Sequence, residues 1–182
     1  LGYDWRPYLA SLGYDERTSE ILADAVFRSE YWERGDRGGI TSREWEQLFI
    51  ENAPAYEEQI RQVYSGIEHT IFPLPYTERL VRFLKKEGLK LYYLSNYSEH
   101  LYQKTKQCMG FLEEFDGGLF SYEVLCIKPE ERIYRLLLEK YGIDPKRAVF
   151  FDDRQVNTEA ASRLGIKGVV FQPDMAYHIL DV

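Results

Sequence analysis

Residues 148–171 read AVFFDDRQVNTEAASRLGIKGVVF, and this stretch decides the fold class. An unbroken apolar run ends in two aspartates, and a helical pattern, a glycine and a second apolar run follow. Such runs are typical of strands that are buried on both faces of a parallel sheet, with the connecting helix packed across it. The stretch therefore predicts strands over 148–151 and 167–171, joined by a helix over 155–164.

The same alternation extends back to about residue 71. It predicts helices over 77–87, 98–109 and 130–141, and strands over 90–94 and 119–121. Before residue 71 the apolar spacing is helical throughout, over 18–28, 42–50 and 55–66, and ERGDRGG at 33–39 is interpreted as a turn-rich loop. The sequence thus indicates an α/β fold with a Rossmann-like parallel sheet flanked by helices, preceded by an all-helical region.

Composition narrows the classes of partner. The 182 residues include 30 acidic and 23 basic side chains, a formal charge of -7 that disfavours nucleic acid or an anionic membrane. No apolar run approaches the roughly 20 residues that span a bilayer. Cys108 and Cys126 match neither a metal-site spacing nor a disulfide framework, which indicates a reducing cytoplasm. We expect a small soluble substrate.

Polar residues at the predicted strand ends are the candidate site. Asp152 and Asp153 emerge where a strand reaches the sheet edge, and paired carboxylates there suit Mg²⁺. Ser95 and Asn96 end another strand, where a hydroxyl and backbone amides can bind phosphate. Both pairs have an alternative interpretation as caps of the helices that follow. Lys128, which precedes Pro129, is either a phosphate ligand or an ordinary exposed lysine.

Three stretches taken in order, LYYLSN at 91–96, CIKPEERIY at 126–134 and the one at 148–171, resemble the haloacid dehalogenase-like hydrolase superfamily. The resemblance implies an inserted helical cap over 14–70, an α/β core domain over 71–182, and a short segment over 1–13 that follows the first strand. Its second motif would supply Ser95 as the phosphate-binding hydroxyl with Asn96 beside it. The third motif would supply Lys128. In the fourth, Asp153 would be the metal ligand, and Asp152 and Asn157 would support it.

The family's first motif, a strand that ends in the aspartate nucleophile, is absent from these residues. LGYDW at 1–5 resembles the segment that follows that motif, so we expect the nucleophile to lie upstream of Leu1. The resemblance then implies a Mg²⁺-dependent phosphatase of small phosphorylated metabolites, sugar phosphates among them, acting through an aspartyl-phosphate. One alternative is an inert binding or regulatory module. Another is a metal-free haloacid dehalogenase, but the pair Asp152 and Asp153 argues against it. Oligomeric state stays open.

Overall fold

The computed structural model describes residues 1–181, and the apolar runs quoted above form its parallel strands. The strands are β1 (Gly2–Tyr3), β2 (Ile71–Phe72), β3 (Tyr92–Ser95), β4 (Gly117–Phe120), β5 (Val149–Asp152) and β6 (Lys167–Val170). The helices are α1 (Arg6–Ser11), α2 (Glu16–Leu22), α3 (Glu30–Arg37), α4 (Ser42–Asn52), α5 (Glu57–Ser65), α6 (Thr77–Lys86), α7 (Glu99–Thr105), α8 (Ser121–Val124), α9 (Glu131–Tyr141), α10 (Gln155–Arg163) and α11 (Pro173–Leu180). The α/β prediction is confirmed, whereas β1, β2, α8 and α11 were not predicted.

The parallel strands form two separate pairs. Strand β3 pairs with β4, and β5 pairs with β6, both in parallel register. Within residues 1–181 no ladder of backbone hydrogen bonds joins β3 to β5, so each of these strands keeps one unpaired edge. The short strands β1 and β2 form a separate antiparallel ribbon.

Strand β5 corrects one prediction about burial. The run at 148–151 indicates a strand that is buried on both faces, but Val149 and Phe151 are 51% and 48% exposed. Phe150, which points the other way along the strand, packs in a core cluster with Leu94, Leu119 and neighbouring apolar residues. One face of β5 is therefore covered, and the other is about half exposed, with the Phe171 ring against Phe151 at a centroid distance of 6.1 Å.

The helices before residue 71 form their own core. Its fully buried members include Trp45, Phe49 and Ile60, and it continues into the α/β region through Leu101 on α7 and Phe120 at the end of β4. The predicted start of α4 is confirmed, because Thr41 and Glu44 form a capping box. The helical region is thus packed against the same end of β4 that leads into α8.

The segment at 33–39 was predicted as a loop, and this is wrong for most of it. Residues through Arg37 continue α3, which has glutamates in its first turn and arginines in its last, as the helix dipole favours. Gly35 is an interior residue of that helix and lies flat against the Trp45 indole, where a Cβ would clash. Packing against Trp45 therefore keeps Gly35 helical despite its low helix propensity.

Gly35→Ala is expected to destabilise the protein by about 1–3 kcal/mol, because the added methyl group would overlap a Trp45 ring that is 1% exposed and cannot move aside. Urea denaturation followed by tryptophan fluorescence measures the loss. Gly110→Ala is the control, since nothing lies within 4 Å of its Cβ position. Equal stability of the two variants would contradict the packing argument.

Candidate active site at the ends of β3 and β5

Lys128 connects the two pairs of strands. Its Nζ donates a hydrogen bond to the carbonyl oxygen of Leu94 in β3 at 2.9 Å and to Asp152 Oδ2 at the end of β5 at 2.6 Å. The side chains of Lys128 and Asp152 are only 11% and 5% exposed. The predicted lysine and aspartate are therefore brought together as a buried ion pair at one edge of the sheet.

Both carboxylate oxygens of Asp152 are engaged. Oδ2 accepts from Lys128, and Oδ1 accepts from the Arg154 backbone N–H at 2.9 Å and from Asn157 Nδ2 at 2.8 Å. Burial alone would raise the pKa of Asp152, but the Lys128 charge and these hydrogen bonds outweigh it and hold the pKa below its usual value. Asp152 is an anion at neutral pH, and its main contact is the lysine.

Asn96 fixes the backbone that carries Lys128. Its Nδ2 donates to the Lys128 carbonyl at 3.0 Å, and its Oδ1 accepts from the Lys128 N–H at 2.7 Å. Ser95 is free for another role, since its Oγ makes only a 3.4 Å contact with the Asn96 carbonyl. The helix cap that could have explained Ser95 belongs to Ser98, which accepts from the Leu101 N–H. Capping therefore accounts for neither Ser95 nor Asn96.

Asp153 differs sharply from Asp152. It is exposed, and it makes no hydrogen bond or ion pair with residues 1–181, although its charge lies close enough to Tyr76 to contribute to the raised pKa of that phenol, after burial and Tyr177. Asn157 Oδ1 is buried and has no partner. Among residues 1–181 no group of three or more histidine, cysteine or acidic residues is placed to hold a metal ion.

A separate cavity of about 290 Å³ lies between the α3–α4 segment and α7, and none of the six predicted site residues lines it. Its wall includes His100, whose Nδ1 lies 3.0 Å from Ser42 Oγ and whose ring stacks on Tyr64 with centroids 4.7 Å apart. Burial, followed by the Lys104 charge, lowers the pKa of His100. We assign His100 a structural role on the basis of these contacts.

Sequence reasoning missed one titratable group beside the site. Asp36 on α3 is 8% exposed and lies close enough to Lys128 for their charges to interact. It belongs to no motif, and it was assigned to a loop. Only the helical register of α3 could have indicated that it faces inward.

Comparison with known proteins identifies the family. The sequence model described as haloacid dehalogenase-like hydrolase matches residues 11–165. The chain belongs to this family. Within the described residues, no helix has the length and apolar character needed to cross a membrane.

Curated relatives of this haloacid dehalogenase-like chain are distant. It is 27% identical to the mouse protein "haloacid dehalogenase-like hydrolase domain-containing protein 3", over 74% of this chain and 60% of the mouse protein. It is 27% identical to a phosphoserine phosphatase of Thermus thermophilus, over 66% of this chain and 50% of that protein. The chain thus spans between one half and three fifths of the length of these relatives.

Solved structures agree on the fold. A haloacid dehalogenase family enzyme from Bacteroides thetaiotaomicron, in complex with magnesium and inorganic phosphate, superposes with a TM-score of 0.62 at 25% identity, covering 87% of each chain. A dehalogenase with an intermediate complex gives a TM-score of 0.72 at 15% identity, over 93% of this chain and 80% of that one. The recognition of the family and the Rossmann-like α/β fold are both confirmed.

Lys128→Met is expected to destabilise the protein by about 3–5 kcal/mol at pH 7, because it leaves the Asp152 carboxylate buried and unpaired. In the wild type the pKa of Asp152 lies below the ordinary aspartate value of 3.8. The pair therefore contributes its full stability above that pH and loses it as pH falls through the lower pKa of the folded protein. In the variant burial is unopposed, so the Asp152 pKa rises and stability falls with increasing pH. The difference measured by urea denaturation should therefore grow from pH 4 to pH 7.

Lys146→Met removes an exposed lysine and is the matched control, with an expected change within about 0.5 kcal/mol. The double variant Lys128→Met, Asp152→Asn should recover much of the loss because no charge remains buried. A pH-independent loss in Lys128→Met would show that packing, and not the ion pair, is what the lysine supplies.

Proposed function

We propose that this protein is a Mg²⁺-dependent hydrolase of small phosphomonoesters, sugar phosphates among them, that acts through an aspartyl-phosphate. The observation that carries the proposal is the ammonium of Lys128, which is held between the ends of β3 and β5 by Leu94 and Asp152. The residue after Leu94 is Ser95, whose hydroxyl is uncommitted. A phosphoryl group placed there would meet a fixed cation and a hydroxyl donor. Relatives named phosphatases, one of them a "phosphorylated carbohydrates phosphatase" of Thermotoga maritima that is 26% identical over 52% of this chain, support the same chemistry.

The nucleophile is proposed to lie on a strand that fills the gap between β3 and β5 and precedes Leu1 in the full-length protein. Two observations support this. Both strands keep unpaired backbone edges, which are costly when they are buried, and the outer face of β5 leaves Val149 and Phe151 half exposed. An aspartate at the carboxyl end of such a strand would emerge between Leu94 and Asp152, where Lys128 now bridges them.

The residues of this chain would then have separate roles in the reaction. The attacking carboxylate forms a bond to phosphorus as the ester oxygen departs, and water later hydrolyses the acyl phosphate, so one difficult displacement becomes two easier ones. Ser95 would donate to a phosphoryl oxygen, and Lys128 would neutralise the developing charge while keeping its hydrogen bond to Leu94. Asn96 would hold the Lys128 backbone in place throughout.

The oxygen donors present suit a hard cation such as Mg²⁺. Asp153 is exposed and uncommitted, and Asn157 Oδ1 is a buried oxygen without a partner, whereas Asp152 is already occupied by Lys128. Asp153 would hold the ion together with the proposed upstream aspartate, and Asp152 and Asn157 would support them. When bound, Mg²⁺ would reduce the repulsion between the nucleophile and the phosphate.

The helical region at 14–70 is proposed to be a cap over this site, 71–182 the core domain and 1–13 the connection from the missing strand. Packing of the helical core against Leu101 and Phe120 supports this arrangement. We further propose a cytoplasmic location, which both free cysteines favour.

An inert binding module is the second candidate function. It is favoured by the fixed ammonium of Lys128 and the uncommitted hydroxyl of Ser95, which would bind a phosphoryl group whether or not it is then transferred. The likeness to dehalogenase structures at 15% identity shows the fold alone, and the exposed carboxylate of Asp153 argues against metal-free dehalogenation.

The full-length protein is expected to release phosphate from small phosphomonoesters only when Mg²⁺ is present. Asp153→Asn should lower kcat at least about a hundredfold, since several kcal/mol of charge stabilisation would be lost. Glu159→Gln, which neutralises an exposed carboxylate on α10, should leave kcat within about twofold. Phosphate release is followed colorimetrically.

Two results would overturn the proposal. Binding of phosphate esters without turnover by the full-length protein would support the inert module. Equal rates with and without Mg²⁺, together with halide release from haloacids, would support a dehalogenase.

A further inference from the structure

Asp36 is a buried carboxyl group for which the proposed mechanism has no use. It is 8% exposed, and its side chain makes no hydrogen bond or ion pair with any residue in the described range 1–181. Burial, then repulsion by Glu33, raises the pKa of Asp36 to about 7, although Lys128 acts in the opposite direction. Its carboxyl oxygens are not fully enclosed by the protein, so they are in contact with accessible space.

The groups that interact with Asp36 come from several elements around the candidate site. Its charge raises the pKa of Tyr3 on β1, after burial, and contributes to raising the pKa of Tyr97 to about 12, after burial and against the Thr105 hydrogen bond. Lys128 is the cation that faces it. Asp36 therefore lies on the part of α3 that packs near Lys128, with the exposed Glu33 one turn before it on the same helix.

The end of α3 is held firmly in this position. Ser121 Oγ donates to the Asp36 carbonyl oxygen while accepting from the Tyr97 N–H at 2.9 Å. One residue on, Arg37 pairs with Glu130 at 2.6 Å, just before α9 begins. These contacts tie the backbone of Asp36 to both sides of the segment that carries Lys128.

Gly38 permits this close docking. It has φ of +76°, and a Cβ there would overlap the backbone of Tyr122 on α8. The chain can therefore leave α3 directly against α8, which fixes the depth at which Asp36 is inserted. The position of this carboxyl group is thus built into the fold.

An unpaired carboxyl group at such a position lowers stability, and a neutral residue would fold more easily. Pairing with Lys128 does not explain why a carboxyl group is placed here. The lysine already contacts Asp152 and the Leu94 carbonyl, and it forms no ion pair with Asp36. Residues that reduce stability without a structural partner are commonly retained for binding or catalysis. The missing partner of Asp36 is then a ligand.

We propose that Asp36 binds hydroxyl groups of the leaving group, which makes it the cap residue that selects phosphate esters of polyhydroxylated compounds. This inference rests on the proposed phosphatase function. A hydroxyl group suits the site better than an ammonium group. A hydroxyl can donate to the carboxylate and accept from the carboxylic acid, so it pairs with both protonation states present near neutral pH, whereas an ammonium requires the anion that this site disfavours.

The test compares four phosphate esters with the full-length protein and Mg²⁺: glucose 6-phosphate and glycerol 3-phosphate, which carry hydroxyl groups, and p-nitrophenyl phosphate and phosphoethanolamine, which do not. Asp36→Ala should lower kcat/KM for at least one hydroxylated ester about tenfold or more and change that for p-nitrophenyl phosphate less than about twofold. Asp36→Asn should show a smaller loss in the same direction. Glu30→Gln, which removes an exposed carboxylate at the start of the same helix, should change neither.

Each contrary result has a distinct meaning. Equal losses for all esters in Asp36→Ala would overturn the inference, because they would reflect a role in folding or in phosphate binding. Wild-type activity confined to phosphoethanolamine, and lost in Asp36→Ala, would assign the carboxylate to an ammonium group and also overturn it. If the wild type hydrolyses none of the esters, the proposed function itself fails, and the inference falls with it.

Stability gives a second readout that needs no substrate. The pKa of Asp36 in the folded protein lies above the ordinary aspartate value of 3.8. The folded protein therefore binds this proton more tightly than the unfolded chain, and stability falls as pH rises from about 4 to about 7. Asp36→Asn removes that loss, so its melting temperature should exceed that of the wild type at pH 8 and the gain should shrink at pH 5. A lower melting temperature for Asp36→Asn at pH 8 would mean that the carboxylate has a partner within the protein, which would overturn the inference.

Discussion

The buried ion pair between Lys128 and Asp152 is the interaction on which the rest of the site depends. One ammonium joins the carbonyl of Leu94 in β3 to the carboxylate that ends β5, so it connects two pairs of strands that share no backbone ladder within the described residues. Two charges that are this deeply buried are costly to desolvate, and the pair is favourable because Arg154 and Asn157 satisfy the other oxygen of Asp152. The same contacts that stabilise the pair place a cation where a phosphoryl group would bind.

Two buried carboxyl groups near this lysine have opposite pKa shifts, and the difference separates structure from recognition. Asp152 has three donors within hydrogen-bonding distance, one of which is the Lys128 ammonium, so its pKa falls despite burial. Asp36 is buried to a similar degree without a donor, so burial dominates and its pKa rises to about 7. Asp152 is complete as it stands, whereas Asp36 has the unsatisfied capacity that a ligand could use.

Sequence patterns predicted the helices and strands of the α/β region well and the helices of the first region less completely. The strand, helix and strand of 148–171 were predicted within two residues, because apolar runs and a helix-ending glycine are local signals. Helix α3 was missed, since Gly35, Gly38 and Gly39 outweigh its weak apolar pattern, and only the Trp45 ring shows why a glycine is required inside the helix. Asp36 was missed with it, because an isolated aspartate carries no motif.

The sequence by itself determined the order of strands and helices, the presence of Ser95 and the aspartate pair at strand ends, and the position of Lys128 just before Pro129. Apolar runs and their polar boundaries are properties of consecutive residues. Tertiary structure decided which of the two aspartates pairs with Lys128 and which is exposed. Successive side chains of a strand point to opposite faces, so Asp152 turns inward to Lys128, which lies 24 residues earlier, and Asp153 turns to solvent. It also decided that β3 and β5 stay apart and that Asp36 faces the site, since both follow from contacts between segments that are distant in the chain.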